Sequence, residues 1–360
     1  MNRRNFIKTF LFTSAFLSSG SFKALAKGVG STLKDLKEIE LTYQVNLPEK
    51  NKKVRLWVPL PMNTSYQKLL GIKVAGSAKF YQILEEPLYH TPIFYAEFPR
   101  GEEKNLELIM QVIFWERTTI DFEKLNPNNR NLSEELKLFL RETPHITTSG
   151  KVKEIAEKIT KGKKTDLEKV KAIYDWVCEN TYRDPAVKGC GEGIVWKMFE
   201  EGKFGGKCTD ISSIFVALCR AEGIPARELL GIRVLPSKLS KALSNVQRDA
   251  TTAQHCKAEV WVNTWIPVDP ADVRKYMLGE KINDLNDPKV QKIKEFLFGG
   301  WDNHWILFNY ARDFMLEPSP TSKEPINEFM YPQAEIEGKL MDKHELTFEY
   351  SKYFVKPITI

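Results

Sequence analysis

Phe204-Gly205-Gly206-Lys207-Cys208-Thr209-Asp210 runs directly into Ile211, Ile214, Phe215, Leu218 and Cys219. That spacing is i, i+3, i+4, i+7, i+8, the stripe of a helix with one face in a core. The stretch predicts a helix that begins near Cys208 and stops at Gly223, with Pro225 just beyond. A thiol at a helix start lies among unpaired backbone N–H groups at the positive end of the helix dipole. Both effects favour the thiolate, the reactive form of cysteine. The two glycines ahead of it let backbone or substrate come close. A reactive cysteine is therefore the first expectation, and the remaining sequence tests it.

The 360 residues suffice for two domains. With 42% apolar and 28% charged residues, the chain has the composition of a globular protein. The net charge of +6 is concentrated at one end. Arg3, Arg4, Lys8 and Lys23 lie in the first 26 residues, which hold no Asp or Glu, so +2 remains for the rest. No basic footprint for nucleic acid is left. Lysine runs such as Lys161-Gly162-Lys163-Lys164 read as solvated surface. The basic start precedes a short apolar run, Phe10 to Leu17, and the small residues of Ala24-Leu25-Ala26. This is the pattern of an export signal. Arg3-Arg4-Asn5-Phe6-Ile7-Lys8 resembles a twin-arginine signal, which implies a periplasmic or otherwise exported bacterial protein beginning at Lys27. The run is too short to span a bilayer, and no membrane span is expected in the mature chain.

Five cysteines, Cys178, Cys190, Cys208, Cys219 and Cys256, leave at least one thiol free in a monomer. Their spacings do not suit zinc, and no metal or cofactor is expected. Cys219 and Cys178 fall on apolar helix stripes. Cys190 and Cys256 are the one pair considered for a bridge. Folding in the cytoplasm before twin-arginine export would leave the thiols reduced.

Residues 27–118 read as an antiparallel β-sandwich. Ile39, Leu41, Tyr43 and Val45 alternate with polar residues, as do Val54, Leu56 and Val58, then Leu106, Leu108, Met110, Val112 and Phe114. A linker rich in Asn, Pro and Arg follows at 119–150. Helices are expected over Lys151 to Ile159, after Thr165 and around Trp196 to Phe199. Thr165 and Glu168 form a capping box. Strands are expected at Glu228 to Leu235, His255 to Val262 and Trp265 to Asp269. Leu346, Phe348 and Tyr350 alternate in a tail, 321–360, expected to return to the sandwich as a strand.

A thiolate nucleophile needs a base and a group that orients the base. Of five histidines, His255 opens a strand downstream of Cys208, and the next strand ends in Asp269. An antiparallel hairpin would bring the two together. Paired residues share a face, and faces alternate along a strand. A two-residue turn at Asn263-Thr264 would put Asp269 on the wrong face, whereas a three-residue loop or a bulge puts it on the face of His255. The arrangement therefore requires an odd loop. His255 and Cys256 face opposite ways and cannot ligate one metal together.

Gly205-Gly206-Lys207-Cys208-Thr209-Asp210, Leu218 to Arg227, His255-Cys256-Lys257-Ala258-Glu259-Val260 and Val268-Asp269-Pro270 resemble the transglutaminase-like superfamily, above all its exported bacterial members. Tyr174-Asp175-Trp176 fits as well, and Trp301 with Asn309 to Asp313 is similar to a C-terminal extension of those proteins. The resemblance spans roughly residues 150 to 275 and weakens over the sandwich. It implies an α+β chain with a papain-like transglutaminase core over 151–320 and a catalytic Cys208, His255 and Asp269. It further implies acyl transfer at an amide. The Cys208 N–H would be one oxyanion donor, with Gln254, Tyr182 and the Gly189 to Gly191 loop as candidates for the second.

Three functions fit. Hydrolysis of a peptide or protein, with export pointing to cell-wall peptides among the substrates, is favoured over crosslinking to an amine, and both over a non-catalytic binding protein on the same scaffold. Trp301, His304, Asn309 and Arg312 are expected to pack the extension onto the core rather than to line the substrate cleft, and Trp261 and Trp265, which flank the hairpin, are expected in the core rather than in a subsite. Arg183, Asp184, Asp272 and Arg274 read as surface pairs or as a supporting shell.

Overall fold

Period-two alternation builds the first layer. In the computed structural model, which describes residues 8–10, 35–117, 120–125 and 132–358, β2 (Lys37–Leu47) buries Ile39, Leu41, Tyr43, Val45 and Leu47 on one face. β7 (Lys104–Phe114) answers with Leu106, Leu108, Met110 and Val112. Together with β4 (Gln67–Gly76), a short β1 (Lys8–Phe10) and β18 (Ser351–Ile358) they form one five-stranded antiparallel sheet, ordered β1-β4-β7-β2-β18. The second sheet is ordered β17-β16-β3-β6-β5, from β3 (Val54–Pro59), β5 (Phe80–Glu86), β6 (Thr91–Phe98), β16 (Gln333–Ile336) and β17 (Lys339–Leu340). Both sheets thus take strands from the chain's far end. Of the expected export segment, only the three residues of β1 fall among the described ones; the rest lies outside them.

The tail differs from expectation in one respect. Leu346, Phe348 and Tyr350 wind into a helical turn, and the strand begins at Ser351. Asp342 starts the turn by accepting from the N–H groups of His344 and Glu345. Leu346 and Tyr350 are also four apart, so the spacing fits a helix as well as a strand.

The second unit centres on a four-stranded antiparallel sheet ordered β12-β11-β10-β13. Its strands are β10 (Ala226–Arg233), β11 (Gln254–Trp261), β12 (Trp265–Val268) and β13 (Trp305–Asn309). Ahead of it come α1 (Glu134–Leu138), α2 (Lys151–Thr160), α3 (Asp166–Asn180), whose capping box forms as expected, and α4 (Val195–Glu201). The helix expected at Cys208 is α5 (Cys208–Ala221), and every residue from Cys208 to Arg220 is buried. Ile211, Ile214, Phe215 and Leu218 are wholly buried, worth about 1.5–3 kcal/mol each relative to exposure. α6 (Pro270–Glu280) and α7 (Pro288–Phe296) follow β12. The chain is therefore α+β, a β-sandwich beside a helix-covered sheet.

β10 is buried along its whole length because both faces are covered. α5 packs on one side, while Ile232, Ile306 and Phe308 join the core of the sandwich. The connecting segment is packed too. Phe139 and Ile146 are buried, and the Phe139 carbonyl accepts from the Ala226 N–H at 3.1 Å.

A buried charge cluster pins this junction. Glu259 accepts from Arg227 at 2.5 Å and from Arg117 at 2.6 Å. The Arg227 guanidinium lies 3.9 Å from the Trp265 ring centre and 4.0 Å from that of Tyr310. Arg227→Met is expected to lower stability by about 3 kcal/mol, because it leaves Glu259 buried with half its counter-charge. Urea unfolding would measure this, and a loss within error of zero would contradict it.

Candidate active site

Local sequence fixes each side chain. β9 (Gly205–Gly206) pairs in parallel with β8 (Tyr182–Arg183) and delivers Cys208 to the first position of α5. The Asp210 carboxylate reaches back to the N–H groups of Lys207 and Gly193, both at 2.9 Å. A Cβ at Gly206 would sit 2.4 Å from Asp210, and one at Gly191, where φ is +88°, would sit 1.9 Å from it. Glycine is therefore required at both positions.

The β11–β12 hairpin closes with Trp261 opposite Trp265, a three-residue loop with Asn263 at φ +58°. This odd loop places His255, Lys257 and Asp269 on one face. Asp269 caps α6, accepting from the Asp272 N–H at 2.9 Å, with Pro270 in the first helical turn. His255 Nε2 lies 2.8 Å from Asp269 Oδ2 and 3.3 Å from Asp272 Oδ1. The Trp305 indole donates to the His255 carbonyl at 2.9 Å and fixes the strand end. The other ring nitrogen, Nδ1, has no aligned hydrogen bond and meets the Cys208 thiol. Cys208, His255 and Asp269 are thus brought together, all buried.

The electrostatics separate this thiol from the others. Burial opposes ionisation of Cys208, but the adjacent Cys190 thiol and His255 ring, with the positive charges of His255 and Arg183, hold its pKa well below the usual thiol range. Burial and Arg233 disfavour the His255 imidazolium, yet Asp272 and Asp269 outweigh them and raise it to about 8. Burial pushes the thiols of Cys178, Cys219 and Cys256 up. All five cysteines are free, so the bridge considered between Cys190 and Cys256 is not formed. Cys190 instead lies against Cys208, its carbonyl accepting from the Thr209 N–H at 3.0 Å.

Lys257 takes a place in the site that was not expected of it, and Asp272 takes the supporting place rather than the surface one. Lys257, 1% exposed, donates to Asp269 at 2.7 Å beneath the rings of Trp301 and Trp305. Asp272 is not a surface residue. It is buried against His255 and is paired with Arg233. Strand parity places Lys257 with His255, and helix spacing places Asp272 with Asp269, so both signals are present in the sequence. His255, Asp269 and Asp272 could in principle hold a cation, but Lys257 and Arg233 already supply that charge.

Trp301 and Trp305 roof Lys257, and His304 pairs with Asp302 at 2.7 Å. Asn309 donates to the Phe329 carbonyl, and Arg312 donates to the Glu192 and Gly193 carbonyls at 2.9 and 3.0 Å. The extension thereby clamps the 188–193 loop beside Cys208, which is 2% exposed. No helix among the described residues is long and apolar enough to cross a membrane.

Comparison with known proteins finds a family on the segment that holds this site. Residues 153–270, which carry Cys208, His255 and Asp269, match the family model described as the transglutaminase-like superfamily. An uncharacterized protein of Haemophilus influenzae is 38% identical over 340 residues, covering 88% of this chain and 90% of that one. A candidate cysteine protease from Cytophaga hutchinsonii superposes with a TM-score of 0.58 at 14% identity, covering 91% of this chain and 92% of that chain. The periplasmic domain of TgpA from Pseudomonas aeruginosa gives a TM-score of 0.36 at 14% identity, over 74% of this chain and 94% of that chain. The chain therefore carries a transglutaminase-like superfamily domain on the segment that holds the site, within a fold shared along almost its whole length.

Proposed function

We propose that the chain is an exported thiol hydrolase that cleaves an amide bond in a peptide through an acyl-enzyme. The observation that carries this reading is a Cys208 thiol favoured as thiolate at a helix start, against a histidine that is itself bonded to Asp269. The candidate cysteine protease of the same fold supports it. The Cys208 sulfur attacks the carbonyl carbon and forms the C–S bond. The charge that develops on oxygen is met by the Cys208 N–H and by Gln254, whose buried Nε2 has no partner. His255 Nδ1 gives its proton to the leaving amine as the C–N bond breaks. The same nitrogen then takes a proton from water, which attacks the thioester and frees the thiolate. Asp269 holds the ring orientation and stabilises the imidazolium. Export rests on the twin-arginine-like segment and makes periplasmic or cell-wall peptides the first substrates to try.

Mass spectrometry of peptides from those sources, incubated with the protein and with Cys208→Ala, tests the proposal. Cleaved products are expected only with the unaltered protein. Gln254→Ala should slow turnover by about 10²-fold. Joined peptides would replace hydrolysis by amine transfer, and no product of either kind would favour a binding protein.

A further inference from the structure

The approach to Cys208 holds more positive charge than it balances. Arg233 has Asp272 as its partner. Arg183 and Lys275 form no ion pair among the described residues. Arg183 lies opposite Gly206 in the β8–β9 ladder, two residues before the nucleophile, and the Asp184 N–H donates to the Gly206 carbonyl at 2.8 Å. α6 packs against β8. Lys275 stands one turn beyond Asp272 on the same side of α6. Both cations are half-buried, whereas Tyr182 beside them is 52% exposed, with its ring lying over Gly205. Burial, then the charges of Arg233 and Arg183, push Lys275 down to about 7, against the pull of Asp272 and Cys208. The anions near the two cations, Asp272 and the Cys208 thiolate, are already engaged by Arg233 and His255, so a bound carboxylate would relieve the cost of holding two partly desolvated cations side by side.

We propose that Arg183 and Lys275, walled by Tyr182, form a subsite for a carboxylate of the substrate next to the amide that Cys208 attacks. The assignment rests on the acyl-transfer reading, since it places the carboxylate relative to the scissile bond. It selects a class of peptide, one ending in a free acid or carrying an acidic side chain beside the cleaved bond. A different role for the two cations is to favour the thiolate alone. That role would change the turnover of acidic and neutral peptides equally, whereas a subsite changes their ratio.

The experiment uses a peptide library in matched pairs. Each sequence is made as a C-terminal free acid and as its amide, and a second set exchanges internal Glu and Asp for Gln and Asn. The two sets distinguish a terminal from a side-chain carboxylate. Expected is a kcat/KM at least about tenfold higher for the acid member of one set, falling to near parity in Arg183→Gln/Lys275→Gln and retained in Lys275→Arg. Parity with the unaltered protein that cleaves both members overturns the subsite and leaves acyl transfer standing. If neither member is cleaved, acyl transfer fails, and calorimetric binding to Cys208→Ala still decides the subsite. Acid members should bind about tenfold tighter, and adding the two Gln substitutions should abolish the difference. Equal binding of acid and neutral members overturns it.

Discussion

Iodoacetamide is expected to label Cys208 at pH 6 far ahead of Cys178, Cys190, Cys219 and Cys256. All five thiols are buried, so burial alone gives no preference. The difference lies in charge. Of the five, Cys208 has its pKa held well below the ordinary thiol value, whereas the other four are raised. Each unit of thiol pKa is about a tenfold change in thiolate fraction below that pKa. The signs then separate labelling from turnover. A thiol with a depressed pKa is charged above it, and a histidine raised to about 8 is charged below that value. Labelling should therefore rise once, as pH climbs through the Cys208 pKa, and stay high. Turnover should rise on the same limb and fall as pH passes about 8, where His255 loses the proton it must give to the leaving amine. His255→Ala removes the neighbouring imidazolium that favours the thiolate, so labelling at pH 6 should drop by about 10²-fold or more. Peptide mass spectrometry after timed labelling reads both effects. A Cys208 labelling curve that overlays that of Cys178 would sink the nucleophile assignment.

What the sequence made legible follows how local each signal is. The α5 stripe and the capping box of α3 depend on neighbours in the chain, and both stand where the spacing places them. The meeting of His255 with Asp269 depends on one loop, and parity alone shows that the loop must be odd. Asn263 supplies the left-handed residue that a three-residue loop needs. Lys257 shares that parity, yet a lysine in a strand ordinarily marks a solvent face. Its burial depends on Trp301 and Trp305, more than forty residues away, which fold over it. Asp272 reads as either a surface or a supporting residue for the same reason, because nothing near it in sequence shows that Arg233 and His255 cover that side of α6. Cys190 lies in a glycine-rich loop whose position is set by Arg312 of the extension and by Asn327 and Lys343 of the tail. Local patterns give the elements, but what covers each face is decided by segments distant in the chain.

Asp269→Asn and Lys257→Met are expected to move the alkaline limb of activity in opposite directions. The buried cluster joins Arg233, Lys257 and His255 to Asp269 and Asp272, with Cys208 as the third negative group when its thiol is ionised. Three positive and three negative groups then balance. Asp269→Asn removes the carboxylate 2.8 Å from His255 and with it an interaction that raises the imidazole pKa, so the limb should shift to lower pH. Loss of ring orientation should cut kcat/KM by about 10³–10⁴-fold, though Asp272 at 3.3 Å can hold part of the charge. Lys257→Met leaves Asp269 without its 2.7 Å partner and the cluster with excess negative charge. The imidazolium becomes more favoured, the limb should shift to higher pH, and a weaker acid should slow amine departure. Either single change leaves a buried charge short of its partner, at about 3–5 kcal/mol of stability. The double variant removes both charges together and should lose less than the sum, by about 0.5–3 kcal/mol. Urea unfolding of the four proteins and pH–rate profiles of the active ones measure the two effects separately. Shifts of the same sign, or additive stability losses, would mean that Lys257 does not act through Asp269.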